Sequence, residues 1–252
     1  MRIVELTRET TQNILENMLK RSPNQYQGYE KTVNEIIADV KERGDEALFA
    51  YTEKFDRAAL TAETVEVTEE EVREAYQQID PKLLDVIKKA LVNIRDYHAM
   101  QKQNSWFDSK ENGTILGQKI TPLQRVGVYV PGGKAVYPSS VLMNIKPAKV
   151  AGVQEIIMAT PCNAEGKVNP AVLAAAKEAG ADRVFKVGGA QAIAAMAFGT
   201  ESIPKVDKIV GPGNIYVALA KKAVYGHVSI DSIAGPPICC LRQSMMSLPP
   251  QF

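Results

Sequence analysis

The chain predicts an α/β protein: a parallel β-sheet covered on both faces by helices, preceded by a helical N-terminal segment. Three observations carry that expectation. Residues 1–120 hold 39 of the 59 charged side chains in the 252-residue sequence, so the first part is solvent-washed and the second holds the buried sheet. From residue 126 onward, short apolar stretches of strand length alternate with helical patterns. Three of those stretches run directly into glycine turns, the usual join between a parallel strand and its crossover helix.

Residues 6–110 read as helical. Between residues 30 and 55, Val33, Ile36, Ile37, Val40, Ala47, Leu48 and Tyr51 form a helical stripe interrupted near Gly44. Thr68 and Glu71 have capping-box spacing, and Asp80 followed by Pro81 reads as an N-cap and first helical residue. Leu83, Ile87, Ala90, Ile94 and Tyr97 then predict one buried helix face. His98 lies beside that stripe as a partly buried or surface histidine. Residues 113–123 alternate and predict a hairpin arm or an edge strand.

Strands are predicted at 126–130, 155–159, 183–187, 208–210 and 227–230. The helix over 139–150 contains Pro147, which is expected to kink or end it. Asn169 caps Pro170, and that helix stops at Gly180. Helices over 191–198 and 216–225 complete the set. A parallel sheet with helices on both faces follows.

Composition narrows the function. With 30 Lys plus Arg against 29 Asp plus Glu, the net charge is +1, which argues against nucleic acid or an anionic membrane as main partner. No apolar run approaches membrane-spanning length, and Met1-Arg2-Ile3-Val4-Glu5-Leu6 does not read as a signal peptide. Three cysteines without metal spacing fit a reducing, cytoplasmic location. Only two histidines, His98 and His227, are present, so no His-rich metal site can be assembled from these residues.

The candidate ligand site is the carboxyl edge of the sheet. Pro131-Gly132-Gly133, Gly188-Gly189-Ala190-Gln191 and Gly211-Pro212-Gly213-Asn214 follow three strands and open three helices. Open α/β sheets bind ligands at that edge, and glycine lets a ligand approach the backbone. None of the turns matches the dinucleotide Gly-x-Gly-x-x-Gly fingerprint or a P-loop. Gln191 and Asn214 offer donor and acceptor together, suiting a base edge or ribose hydroxyls. Tyr129 either stacks on a ligand or simply alternates away from Val126, Val128 and Val130. Cys162 lacks a neighbouring base, His227 reads as structural, and Asp231 is positioned to reach the crevice.

These segments resemble a known family. Arg125-Val-Gly-Val-Tyr-Val-Pro-Gly-Gly133, Tyr137-Pro-Ser-Ser-Val-Leu-Met-Asn144, Val187-Gly-Gly-Ala-Gln-Ala-Ile-Ala194 and Val210-Gly-Pro-Gly-Asn-Ile-Tyr216 are similar to histidinol dehydrogenase, and Asp231-Ser-Ile-Ala-Gly-Pro236 resembles the start of that family's signature. The resemblance implies NAD-dependent oxidation of L-histidinol through the aldehyde to L-histidine. It also implies a zinc-dependent homodimer of incomplete, Rossmann-like, aldehyde-dehydrogenase-like domains. Tyr129, Gln191 and Asn214 match the family's NAD-contacting residues.

On this reading, residues 1–124 form the helical segment and first part of domain one, and 125–236 the NAD-contacting domain. Residues 237–252 have neither helical nor strand periodicity and read as an aberrant, truncated or frame-shifted tail. Where the family continues Ser-Glu, with the serine helping to bind substrate, this chain has Pro237 and Ile238. The family's zinc ligands and catalytic glutamate–histidine pair have no counterpart here, so the chain alone is expected to be inactive. Two other readings compete: a non-catalytic nucleotide-binding or interaction module, and a different enzyme using Cys162.

Overall fold

A computed structural model describes Thr7, residues 26–132 and residues 136–232. The expectations for residues 237–252, for most of the first 25 residues, for Gly133 and for 233–236 lie outside these residues.

Helices α1 (Gln27–Arg43) and α2 (Asp45–Asp56) are separated by Gly44, where the stripe breaks. Gly44 donates its N–H to the Val40 carbonyl and accepts from Leu48, closing one helix and opening the next. α3 (Glu69–Gln78) begins with the full Thr68–Glu71 capping box. In α4 (Pro81–Ala99) the Asp80 side chain accepts from the Lys82 N–H, with Pro81 at the first turn.

Of the five residues expected on the buried face of α4, Ile87, Ala90 and Ile94 pack against the core and two do not. Ile87 and Leu91 are buried, whereas Leu83 and Tyr97 are 38 % and 57 % exposed. The helix packs through Leu84, Ile87, Ala90, Leu91 and Ile94. Leu83 and Leu84 each begin a stripe of helical spacing, and only packing against the next layer selects between them.

The helical reading of residues 6–110 also ends too late. β1 (Trp106–Ser109) pairs antiparallel with β2 (Ile115–Gln118), a hairpin closed by a turn in which Lys110 and Thr114 bond and Gly113 has φ +83°. All eight strand residues are exposed, and Trp106 and Phe107 favour extended backbone.

The main sheet holds β3 (Arg125–Tyr129), β4 (Glu155–Ala159), β5 (Arg183–Phe185), β6 (Lys208–Val210) and β7 (Ser229–Ile230), all parallel, in the order β5-β4-β3-β6-β7. Counted from β3 this is the 3-2-1-4-5 order of a doubly wound nucleotide-binding sheet. β5 is shorter than expected because Lys186 donates its N–H to the Val65 carbonyl. Residues 65–67 thereby cover that sheet edge, and the Arg183 guanidinium grips both Glu66 oxygens at 2.9 and 2.7 Å.

Crossover helices α5 (Pro138–Ala151) and α6 (Pro170–Ala179) cover one face with Val126, Val128 and Val130, and α3 and α4 pack over them. α7 (Gly189–Phe198) and α8 (Ile215–Val224) cover the other face, with α1 and α2 outside. Pro147 does not end α5, which continues to Ala151. Pro147 removes only the donor to the Met143 carbonyl, and Met143 is on the exposed side of the helix. No helix among the described residues is long and apolar enough to cross a membrane.

Candidate functional site

In this strand order the chain reverses direction across the sheet between β3 and β6, which opens a crevice at their carboxyl ends. Tyr129 is the last residue of β3. Alternation sends it away from Val126 and Val128 into the layer of α1, α2, α7 and α8. There it is 3 % exposed, and its hydroxyl accepts the Gly189 N–H at 3.1 Å. Burial, with a smaller push from the Asp56 charge, raises the phenol to about 12, so it stays protonated with its own hydrogen left to donate.

Gln191 stands in the first turn of α7 and is 1 % exposed. Neither its Oε1 nor its Nε2 has a hydrogen-bond partner among the described residues. The glycines before it are required by the geometry. Gly189 has φ +66°, and a side chain there would start 2.6 Å from the Gln191 Oε1. Asn214 is the N-cap of α8, its Oδ1 accepting from the Val217 N–H at 3.1 Å, so its Nδ2 donors are what it offers a ligand.

Tyr129, Gln191 and Asn214 line one cavity of about 590 Å³, at the switch point, with Pro131 and Gly132 of the first glycine turn beside them. The volume falls in the range of small-molecule and cofactor sites.

The turn after β6 is locked to β3. Gly211, at φ +112°, would place a side chain 2.1 Å from the Tyr129 carbonyl oxygen. Its N–H donates to Asp231 at 2.9 Å, its carbonyl accepts from the buried Lys221 ammonium at 2.9 Å, and Lys221 also pairs directly with Asp231. Asp231 therefore holds this turn and does not line the cavity. Burial drives its carboxyl upward, but Lys221 and the Gly211 and Ser232 N–H groups outweigh it and hold the acid below the usual range.

With that geometry in place, comparison with known proteins is decisive: the histidinol dehydrogenase family model matches residues 19–241. The chain belongs to the histidinol dehydrogenase family. It is 59% identical over 206 residues to the histidinol dehydrogenase of Geobacillus kaustophilus (strain HTA426), covering 82% of this chain and 48% of that one. To the Aquifex aeolicus (strain VF5) histidinol dehydrogenase it is 56% identical over 238 residues, covering 94% and 54%. The crystal structure of histidinol dehydrogenase from Elizabethkingia anophelis superposes with a TM-score of 0.78 at 40% identity, covering 82% of this chain and 47% of that one. The chain spans about half the length of the curated relatives it matches.

Lining residues that escaped the sequence reading include Phe55, Asp56 and Tyr216. Phe55 and Tyr216 are 49 % and 37 % exposed and leave ring surface free at the cavity. Asp56 ends α2, and its Oδ2 is buried without a partner among the described residues. Burial raises its carboxyl above the usual range. A carboxylate in the last turn of a helix opposes the helix dipole, a signal readable in the sequence.

Cys162 also lines the cavity, its thiol 3.5 Å from the Lys186 carbonyl. Burial, and then the Asp56 charge, push the thiol up, the reverse of what a nucleophilic thiolate needs. His98 bonds Gln101 at 2.7 Å, and His227 packs edge-on against Phe198, so neither faces the cavity. Among the described residues no three of His, Cys, Asp and Glu converge to hold a metal ion.

Proposed function

We propose that this chain supplies the dinucleotide-binding part of an NAD-dependent histidinol dehydrogenase, oxidising L-histidinol through the aldehyde to L-histidine. The buried, unpartnered amide of Gln191 carries this reading. Leaving such a group unpaired costs about 1–3 kcal/mol, and a ligand with a donor and an acceptor side by side removes that cost. NAD has such edges in its carboxamide, adenine and ribose groups. Family membership supports the same assignment.

When bound, NAD accepts the hydride removed from the substrate carbon. The protein's own contribution is to bind and orient. Gln191 pairs with a polar edge, Tyr129 donates its hydroxyl hydrogen, Asn214 donates from Nδ2, and Phe55 and Tyr216 offer ring faces to a base. Among the described residues no Lys, Arg or His lines the cavity, so the residues named here do not polarise the substrate alcohol. The same proposal includes a cytoplasmic homodimer, the aldehyde-dehydrogenase-like arrangement of two related domains, and the zinc of the family. The described residues do not fit that metal, so we assign it no step. A non-catalytic nucleotide-binding module draws on the same cavity and differs only in lacking turnover.

Calorimetry of the 252-residue chain with NAD tests the reading. We expect weak binding, lost in the Gln191→Ala/Asn214→Ala double variant, and no histidinol-dependent NADH from this chain alone with zinc added. Equal NAD affinity in both proteins makes the two amides turn residues only.

A further inference from the structure

The proposed function does not use the carboxylate of Asp56. Its Oδ2 is buried, has no partner among the described residues, and belongs to a side chain lining the same cavity as Gln191. The two groups meet over one turn. A side chain at Gly188 would start 3.4 Å from the Asp56 Oδ2, and one at Gly189 would start 2.6 Å from the Gln191 Oε1. Pro161, at 2.7 Å from the same point over Gly188, also lines the cavity, so the carboxylate and the amide approach two adjacent glycines of one turn.

A carboxylate in that position demands donors. Among the described residues no basic side chain lines the cavity to neutralise it. The Gly189 N–H at the start of α7 is already engaged by Tyr129. A phosphate placed beside Asp56 would meet an uncompensated like charge, so the ligand's anionic part belongs elsewhere. Paired hydroxyls suit the site, because an ionised carboxylate has two oxygens and accepts from both members of a vicinal diol. Acidic residues read ribose hydroxyls in this way at other dinucleotide sites and exclude a 2′-phosphate there.

Building on the dinucleotide reading, we propose that Asp56 is the diol-reading residue of this cavity, accepting both hydroxyl hydrogens of a ribose cis-diol. The cavity therefore selects a ligand with a free diol over one phosphorylated at that ribose. The unpaired buried acid destabilises the ligand-free protein, and a bound diol removes that cost. Charge-assisted bonds of this kind are worth more than neutral ones, so neutralising the acid weakens binding.

The test is calorimetry of the full chain, its Asp56→Asn variant and its Gln191→Ala variant with NAD, NADP and nicotinamide mononucleotide. Thermal melts without ligand confirm that each variant folds. Asp56→Asn is expected to bind NAD about tenfold more weakly, a change of about 1.4 kcal/mol. If the adenosine ribose is read, native protein prefers NAD to NADP and the variant loses that preference. If the nicotinamide ribose is read, the NAD-to-NADP ratio is the same in both, and affinity for the mononucleotide falls in the variant. Unchanged NAD affinity in a folded Asp56→Asn protein, with a loss in Gln191→Ala, refutes the diol role and leaves the dinucleotide reading standing. No NAD binding by native protein at millimolar concentration overturns both.

Discussion

The hydroxyl of Tyr129, at the carboxyl end of β3, accepts the Gly189 N–H that opens α7, at 3.1 Å. That bond ties the central strand of the sheet to the helix that carries Gln191, so two candidate binding residues hold each other in place. Gln191 is further confined by its burial, and the backbone of Tyr129 abuts Gly211, where the turn leading to Asn214 begins.

Tyr129→Phe keeps the ring and removes the acceptor. One buried hydrogen bond is lost, so stability should fall by about 1 kcal/mol in urea unfolding. NAD affinity should fall as well, because α7 loses its anchor and the ligand loses a donor. A variant as stable as the native chain would show that the Gly189 N–H finds another partner.

Asp56→Asn should make the ligand-free protein more stable at neutral pH, by about 1 kcal/mol, the scale of one unmet buried acceptor. The folded-state acid is raised by burial, so the native state binds the proton more tightly than the unfolded chain. Stability from this group is full below the unfolded value of about 3.9 and is lost as pH rises through the folded one. The advantage of the variant should therefore vanish in acid. Parallel melting curves from pH 3.5 to 7.5 measure it, and a gap that widens in acid would contradict the sign.

Asp231→Asn should show the opposite dependence. Burial raises this acid, but Lys221 and two N–H groups lower it further, so its stabilisation is present above the unfolded value and fades as pH falls through the folded one. The side chain is 34% exposed, which screens the pair, so the loss at pH 7 should be about 1 kcal/mol. Chemical denaturation at pH 7 and pH 3 should show a clear gap at the first and a reduced one at the second.

Gly211→Ala should be the most damaging of these changes. The new methyl group would meet the Tyr129 carbonyl oxygen at 2.1 Å in a backbone region that L-residues avoid. A loss of about 3 kcal/mol is expected, with NAD binding abolished as the turn bearing Asn214 shifts. A native-like melt with intact binding would mean that the turn relaxes without cost.

Sequence by itself determined the alternation of strand and helix from residue 125 onward, because hydrophobic period and glycine or proline punctuation are local properties. The capping box at Thr68, the stop at Gly180 and the three turns with their amides were legible for the same reason. Four long motifs also pointed to the family that the comparisons then established. Tertiary structure alone decided which stripe of α4 is buried, since Leu83 and Leu84 satisfy the helical period equally. It placed Asp231 against Lys221 and Gly211, away from the cavity, and it brought Asp56 over Gly188 from more than a hundred positions away in the chain. Periodicity records which face of an element is apolar. Which polar groups stay unpaired within a shared cavity depends on how distant elements pack.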